Sequence, residues 1–134
     1  MRHVALVGAA ILGSATAAGA DSLPIERGYY VEKDTPCQQA SNATITLYNG
    51  VSFGNSPVEC RKPAVRKLAD GSYRITEQCR DMQGRGGPWK AFTASYAVLS
   101  RTELISTTPY QKAAYRYCRQ SELPEPWSTI DLGR

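Results

Sequence analysis

Histidine is all but missing from this chain. The one copy, His3, lies in an N-terminal stretch that reads as a cleaved leader, so the mature chain is expected to have none. That excludes Ser-His-Asp and Cys-His nucleophile pairs and nearly every histidine metal site. Closely spaced cysteines are missing too. Cys37, Cys60, Cys79 and Cys118 contain no C-x-x-C pair, the spacing that zinc sites use. No metal and no other cofactor is therefore expected. No apolar run reaches the roughly 20 residues of a membrane-spanning helix. Gly84-Arg85-Gly86-Gly87 lacks the Lys-Ser/Thr that closes a phosphate-binding loop, and no helix pattern follows it. No nucleic-acid-binding motif is present.

The first residues carry a targeting signal. Met1-Arg2-His3 is a positive n-region, Val4 to Leu12 is apolar, and Ala18-Gly19-Ala20 fits the small-x-small cleavage rule. The expected organisation is a signal peptide over 1–20 and a single β domain over 21–134, with 119–134 an extended C-terminal tail. An uncleaved anchor is the rival reading. The product is expected to be periplasmic or secreted. Losing Arg2 takes the basic residues from 16 to 15 against 12 acidic ones, a net charge of about +3. Arg61, Lys62, Arg66, Lys67 and Arg74 form the densest basic group; a solvated outer sheet face is the plain reading of it. Four cysteines in an exported chain imply two disulfides.

What is present is strand chemistry. Gly28 to Glu32 reads as a first strand and Ala43 to Tyr48 as a second, rich in β-branched and aromatic residues. Asn49-Gly50 is a two-residue hairpin signal, from which Val51-Ser52-Phe53 returns. Val58 to Cys79 holds two strands about Asp70-Gly71, a similar signal. There Tyr73, Ile75 and Glu77 alternate with Arg74, Thr76 and Gln78, the period of a half-buried strand. Asp81 to Pro88 is a flexible loop. Trp89 to Leu99 sets Phe92, Ala94, Tyr96 and Val98 on one parity, and Glu103 to Thr108 and Ala113 to Cys118 follow. One short helix, over Cys37 to Ala40 or Gln111 to Tyr115, is compatible with this order. Arg119 onward carries Pro124 and Pro126 and is expected to dock Trp127 and Leu132 on the body. About seven or eight short strands predict an all-β fold, a small antiparallel barrel or sandwich. Barrel closure is favoured because it removes exposed edges.

Across a two-residue Asp70-Gly71 loop, Cys79 faces Lys62, and Cys60 sits two positions farther out. A direct Cys60–Cys79 bridge then needs a bulge, for which Pro63 is the candidate. Without one, the expected pairing is Cys37–Cys60 with Cys79–Cys118.

Little remains that could catalyse a reaction. Glu59 and Glu77 share the hairpin and could serve as a glycosidase pair at a separation of about 5–10 Å. The plainer expectation is that each pairs with an arginine on the solvent face. Asn42-Ala43-Thr44 matches the N-glycosylation pattern, a short match common by chance. Tyr29, Tyr30, Tyr73, Tyr96, Tyr115 and Tyr117 lie in strands, and half of them should point into a core. The expected binding residues are Arg85, Gly86 and Trp89 about the glycine-rich loop, with Arg74.

Arg27-Gly28-Tyr29-Tyr30-Val31, then Pro36-Cys37 and Ser41-Asn42-Ala43-Thr44, then a strand and a loop to Cys60, resemble small exported proteobacterial proteins of unknown function. The resemblance covers mainly Leu23 to Cys79 and implies a periplasmic location, with no active-site residue to transfer. Size and cysteine count are also similar to those of periplasmic lysozyme inhibitors of barrel fold. That family's Ser- and Tyr-containing inhibitory loop is not found here, and a basic chain matches poorly to basic lysozyme. The expected function is non-enzymatic binding of an envelope component, a protein or glycan and not nucleic acid. The alternative is an inhibitor or immunity protein against an exported hydrolase, plugging a cleft with Asp81 to Pro88.

Overall fold

A computed structural model describes residues 22–54, 58–83 and 85–133. The leader expected over 1–20 lies outside the described residues. Eight strands follow in chain order: β1 (Gly28–Glu32), β2 (Ile45–Tyr48), β3 (Phe53–Gly54), β4 (Val58–Lys67), β5 (Tyr73–Asp81), β6 (Lys90–Ser100), β7 (Glu103–Thr107) and β8 (Lys112–Cys118). They form one antiparallel sheet in the order β3-β2-β1-β8-β7-β6-β5-β4, curled into a nearly closed barrel with β3 and β4 at its two ends. Of the two places expected for a short helix, Cys37–Gln39 forms a 3-10 turn and residues 112–115 belong to β8; two further 3-10 turns, Gln120–Glu122 and Trp127–Thr129, lie in the tail.

The β4–β5 hairpin departs from the two-residue loop in two places. Leu68 donates to the Ser72 carbonyl (2.8 Å), so three residues, Ala69, Asp70 and Gly71, make the turn. Gly71 sits at φ +87°, a backbone conformation that an L side chain would strain, and Asp70 accepts from the Ser72 amide and hydroxyl. The second departure is a bulge. Ala64 pairs with Thr76 but Arg61 with Gln78, so β4 carries one extra residue at Lys62-Pro63. Pro63 has no N–H to lose from a ladder, and Lys62 takes φ +55°. Each departure moves the pairing by one position. Together they bring Cys60 opposite Cys79 and keep the facing of the strand.

The disulfides are therefore Cys60–Cys79 and Cys37–Cys118, not the expected Cys37–Cys60 and Cys79–Cys118. The β2–β3 hairpin differs likewise: Tyr48 pairs with Phe53 and Asn49 donates to the Ser52 carbonyl (3.1 Å), so Gly50 and Val51 make the turn in place of Asn49 and Gly50. The Asn49 carboxamide oxygen accepts from the amides of Val51 (2.9 Å) and Ser52 (3.0 Å), which fixes this turn one residue farther along the chain.

Inward parity builds the main core. Tyr30, Tyr48, Tyr73, Ile75, Tyr96 and Leu104 pack inside the barrel, with Leu23 and Ile25 against them. The segment before β1 stops one end. The Leu23 amide donates to the Tyr48 hydroxyl (3.0 Å), and the Tyr30 hydroxyl donates to the Glu26 carbonyl (2.7 Å). The Glu26 amide reaches the Arg101 carbonyl, and the Arg101 guanidinium meets the Glu26 carboxylate at 2.8 Å. A second core lies outside β1, β2 and β8. Here Tyr29, Val31, Ile45 and Leu123 pack around Cys37–Cys118, and Trp127 and Leu132 of the tail lie against them. The Arg116 guanidinium lies on this disulfide, donating to the Thr35 carbonyl (2.6 Å).

The two bridges close chain separations of 81 and 19 residues. By the chain-entropy relation, removing Cys37–Cys118 should cost about 4.5 kcal/mol and removing Cys60–Cys79 about 3.3 kcal/mol. Urea unfolding of the paired Cys→Ala variants should reproduce that order. A larger loss from Cys60→Ala/Cys79→Ala would contradict it, and peptide mapping without reduction checks the connectivity itself.

Candidate functional site

With one end stopped, the opposite half of the barrel is open. It holds a cavity of about 300 Å³ lined by Phe53, Glu77, Phe92, Tyr96, Leu104 and Tyr115, with the Cys60–Cys79 bridge in its wall. Thr108, Tyr110 and Gln111 of the β7–β8 loop stand at the rim, and Tyr110 is 87% exposed.

Glu77 is the unusual member. It shares the inward parity of Tyr73, Ile75 and Cys79 on β5, and is 6% exposed. Among the described residues its Oε1 has no hydrogen-bond partner. Burial raises its pKa above the ordinary carboxylate value, while a side-chain hydrogen bond from the buried Ser52 acts in the other direction. Tyr96 is also pushed up, first by burial and then by the nearby Glu77 carboxylate, against a hydrogen bond with Ser106. Its phenol stays neutral and available for hydrogen bonding.

The expectation that Glu77 pairs with an arginine on the solvent face is thus overturned. Glu59 does so: its Oε2 lies 2.8 Å from the Arg80 guanidinium. Glu59 is opposite Arg80 and Cys60 is opposite Cys79, so Glu59 and Glu77 lie on opposite faces of the hairpin. They cannot flank one glycosidic bond. Cys60, Glu77 and Cys79 bring their ligand atoms within 4.8 Å of one another. The two sulfurs are bonded to each other, which leaves a single carboxylate and no metal-ligand set.

The binding residues expected from the sequence lie elsewhere, outside the barrel. Arg85 and Gly86 are exposed in the β5–β6 connection, where Gly86 takes φ +76° and the Gly87 amide donates to the Asp81 carbonyl at 2.9 Å. Trp89 is covered by Arg61 (3.8 Å from guanidinium carbon to ring centroid) and Arg80 (4.5 Å). Arg74 faces Arg66 and Ser95 at the far end of β5, five ladder positions from Lys90, a rise of roughly 17 Å along the strand. Arg74 and Trp89 are therefore not brought together. The β4–β5 outer face gathers Arg61, Arg66 and Arg74 of the expected basic group, together with Arg80, whereas Lys67 is opposite the inward-facing Tyr73 and Lys62 sits in the bulge.

Ser52, Phe92 and Ser106 were not singled out from the sequence as cavity residues. One signal was legible: a lone acid on the apolar parity of a strand. A raised carboxyl pKa makes the folded state bind its proton more tightly than the unfolded chain does. Glu77 therefore leaves stability untouched at pH values where both states are protonated, and subtracts from it as pH rises past the ordinary glutamate value of 4.5. Glu77→Gln should raise the unfolding free energy measured in urea at pH 7 by on the order of 1 kcal/mol, moving the midpoint up, and lose that advantage below the ordinary carboxylate range. Equal midpoints at both pH values would show the carboxyl to be solvated. Comparison with protein-family models, with curated proteins and with solved structures finds no match for this chain.

Proposed function

We propose that this is a non-enzymatic binding protein of the periplasm that holds a small component of the cell envelope inside its barrel. The observation that carries the reading is the unpartnered Glu77 oxygen at the wall of the open cavity. A buried, unpaired polar atom costs roughly 1–3 kcal/mol of stability. Such a cost is typical of a recognition site, where a ligand supplies the missing partner. The cavity is at the lower end of ligand-pocket sizes, which run about 300–1,000 Å³. Its walls are mostly apolar with few polar groups, the usual composition of a small-molecule site.

Two formed disulfides are the state expected in an oxidising compartment, and among the described residues no helix is long and apolar enough to cross a membrane. These points, with the leader, support export. The carboxyls of Glu59 and Glu77 face apart, which supports binding over glycan hydrolysis.

Purification from a periplasmic extract should yield a chain beginning at Asp21. Native mass spectrometry should show a stoichiometric small molecule released on denaturation. Ser106→Phe, which fills the cavity from β7, should reduce its occupancy about tenfold with an unchanged far-UV spectrum. A wild-type protein with nothing bound, or a variant with equal occupancy, would contradict the proposal.

A further inference from the structure

We propose that the ligand of this cavity is an organic ammonium compound, its nitrogen seated at Glu77 Oε1 and its apolar body among the aromatic walls. The inference rests on the barrel interior being a ligand site and adds the chemical class.

Charge is the first argument. Among the described residues, none of those lining the cavity is a lysine or arginine. The ion pairs found among the described residues are Lys33–Glu103, Arg80–Glu59, Arg101–Glu26 and Arg119–Glu122, and Glu77 takes part in none of them. An acid thus sits inside an apolar barrel with no counter-ion among the described residues. A bound cation would supply one, as a charge-assisted hydrogen bond strengthened by the low local dielectric. Oε1 can accept such a bond and has no donor within the described residues.

The walls are the second argument. Phe92 lies directly opposite Glu77 on the β5–β6 ladder. Tyr96 is near enough to feel the Glu77 charge, and Phe53 stacks on Tyr96 at 4.8 Å. Aromatic faces attract ammonium groups through the ring quadrupole, more strongly when water is excluded. A carboxylate beside aromatic faces suits a cation, whereas an anion would meet the repulsion of Glu77.

Size is the third. A volume of about 300 Å³ equals about ten water volumes, room for a compact monoamine with one ring or a short chain.

Three probes of one shape separate the classes: 2-phenylethylamine, 2-phenylethanol and 3-phenylpropanoate, titrated calorimetrically at pH 7 into the oxidised mature protein. The amine should bind at least tenfold more tightly than the alcohol, and the acid most weakly. Glu77→Gln should bring the amine down to the affinity of the alcohol and leave the alcohol unchanged. Binding of the alcohol or the acid as tight as that of the amine in wild type would overturn the ammonium assignment while leaving the cavity a binding site. Binding of none of the three would overturn both. The wild-type comparison stands whether or not the variant folds.

Discussion

The pairing register of β5 against β4 is the constraint on which the rest of the structure depends. Side chains on a strand alternate faces, so a slip of one residue would turn every inward group of β5 outward. Tyr73, Ile75, Glu77 and Cys79 share the inner face, and Cys79 is bonded across the ladder to Cys60. The bridge pins that register covalently. Glu77, two residues from the bridged Cys79, is held inside by the same bond. Three apolar or bridged neighbours stabilise the facing that buries the acid, and together they outweigh its desolvation.

The barrel is asymmetric about this strand. Near Tyr73, the Leu23–Ile25 segment, the tyrosine hydroxyls and the Arg101–Glu26 pair fill and close the interior. Near Cys79, the short β3 leaves the sheet ends unpaired and the interior stays open. A small chain must bury as much apolar surface as it can, and here that duty falls on the stopped end and on the second core under the tail. The open half is left for recognition.

Much of the architecture was legible in the sequence. Alternation on β5 and β6 and β-branched and aromatic composition on β2 marked strands, and turn chemistry separated them. The bridges were not legible, because a disulfide across a hairpin depends on the number of residues in the loop. Asp70-Gly71 marks a turn but does not say whether two or three residues make it. Pro63 marks a bulge but does not say that one forms. Only both departures together bring Cys60 level with Cys79. The cavity was half legible. Glu77 showed its inward parity, yet the arginines nearby in sequence suggested a solvent partner, and these face the other way. Trp89 drew attention as part of a loop site, but its partners, Arg61 and Arg80, come from two other strands and could be named only once the register was known.

The central claim is that an acid sits inside the barrel without a counter-ion. Carbon-13 NMR titration of the Glu77 carboxyl in the oxidised, unliganded protein tests it most directly. The account predicts a titration midpoint above the ordinary glutamate value of 4.5, in a group lifted by burial. A midpoint at or below that value would contradict it.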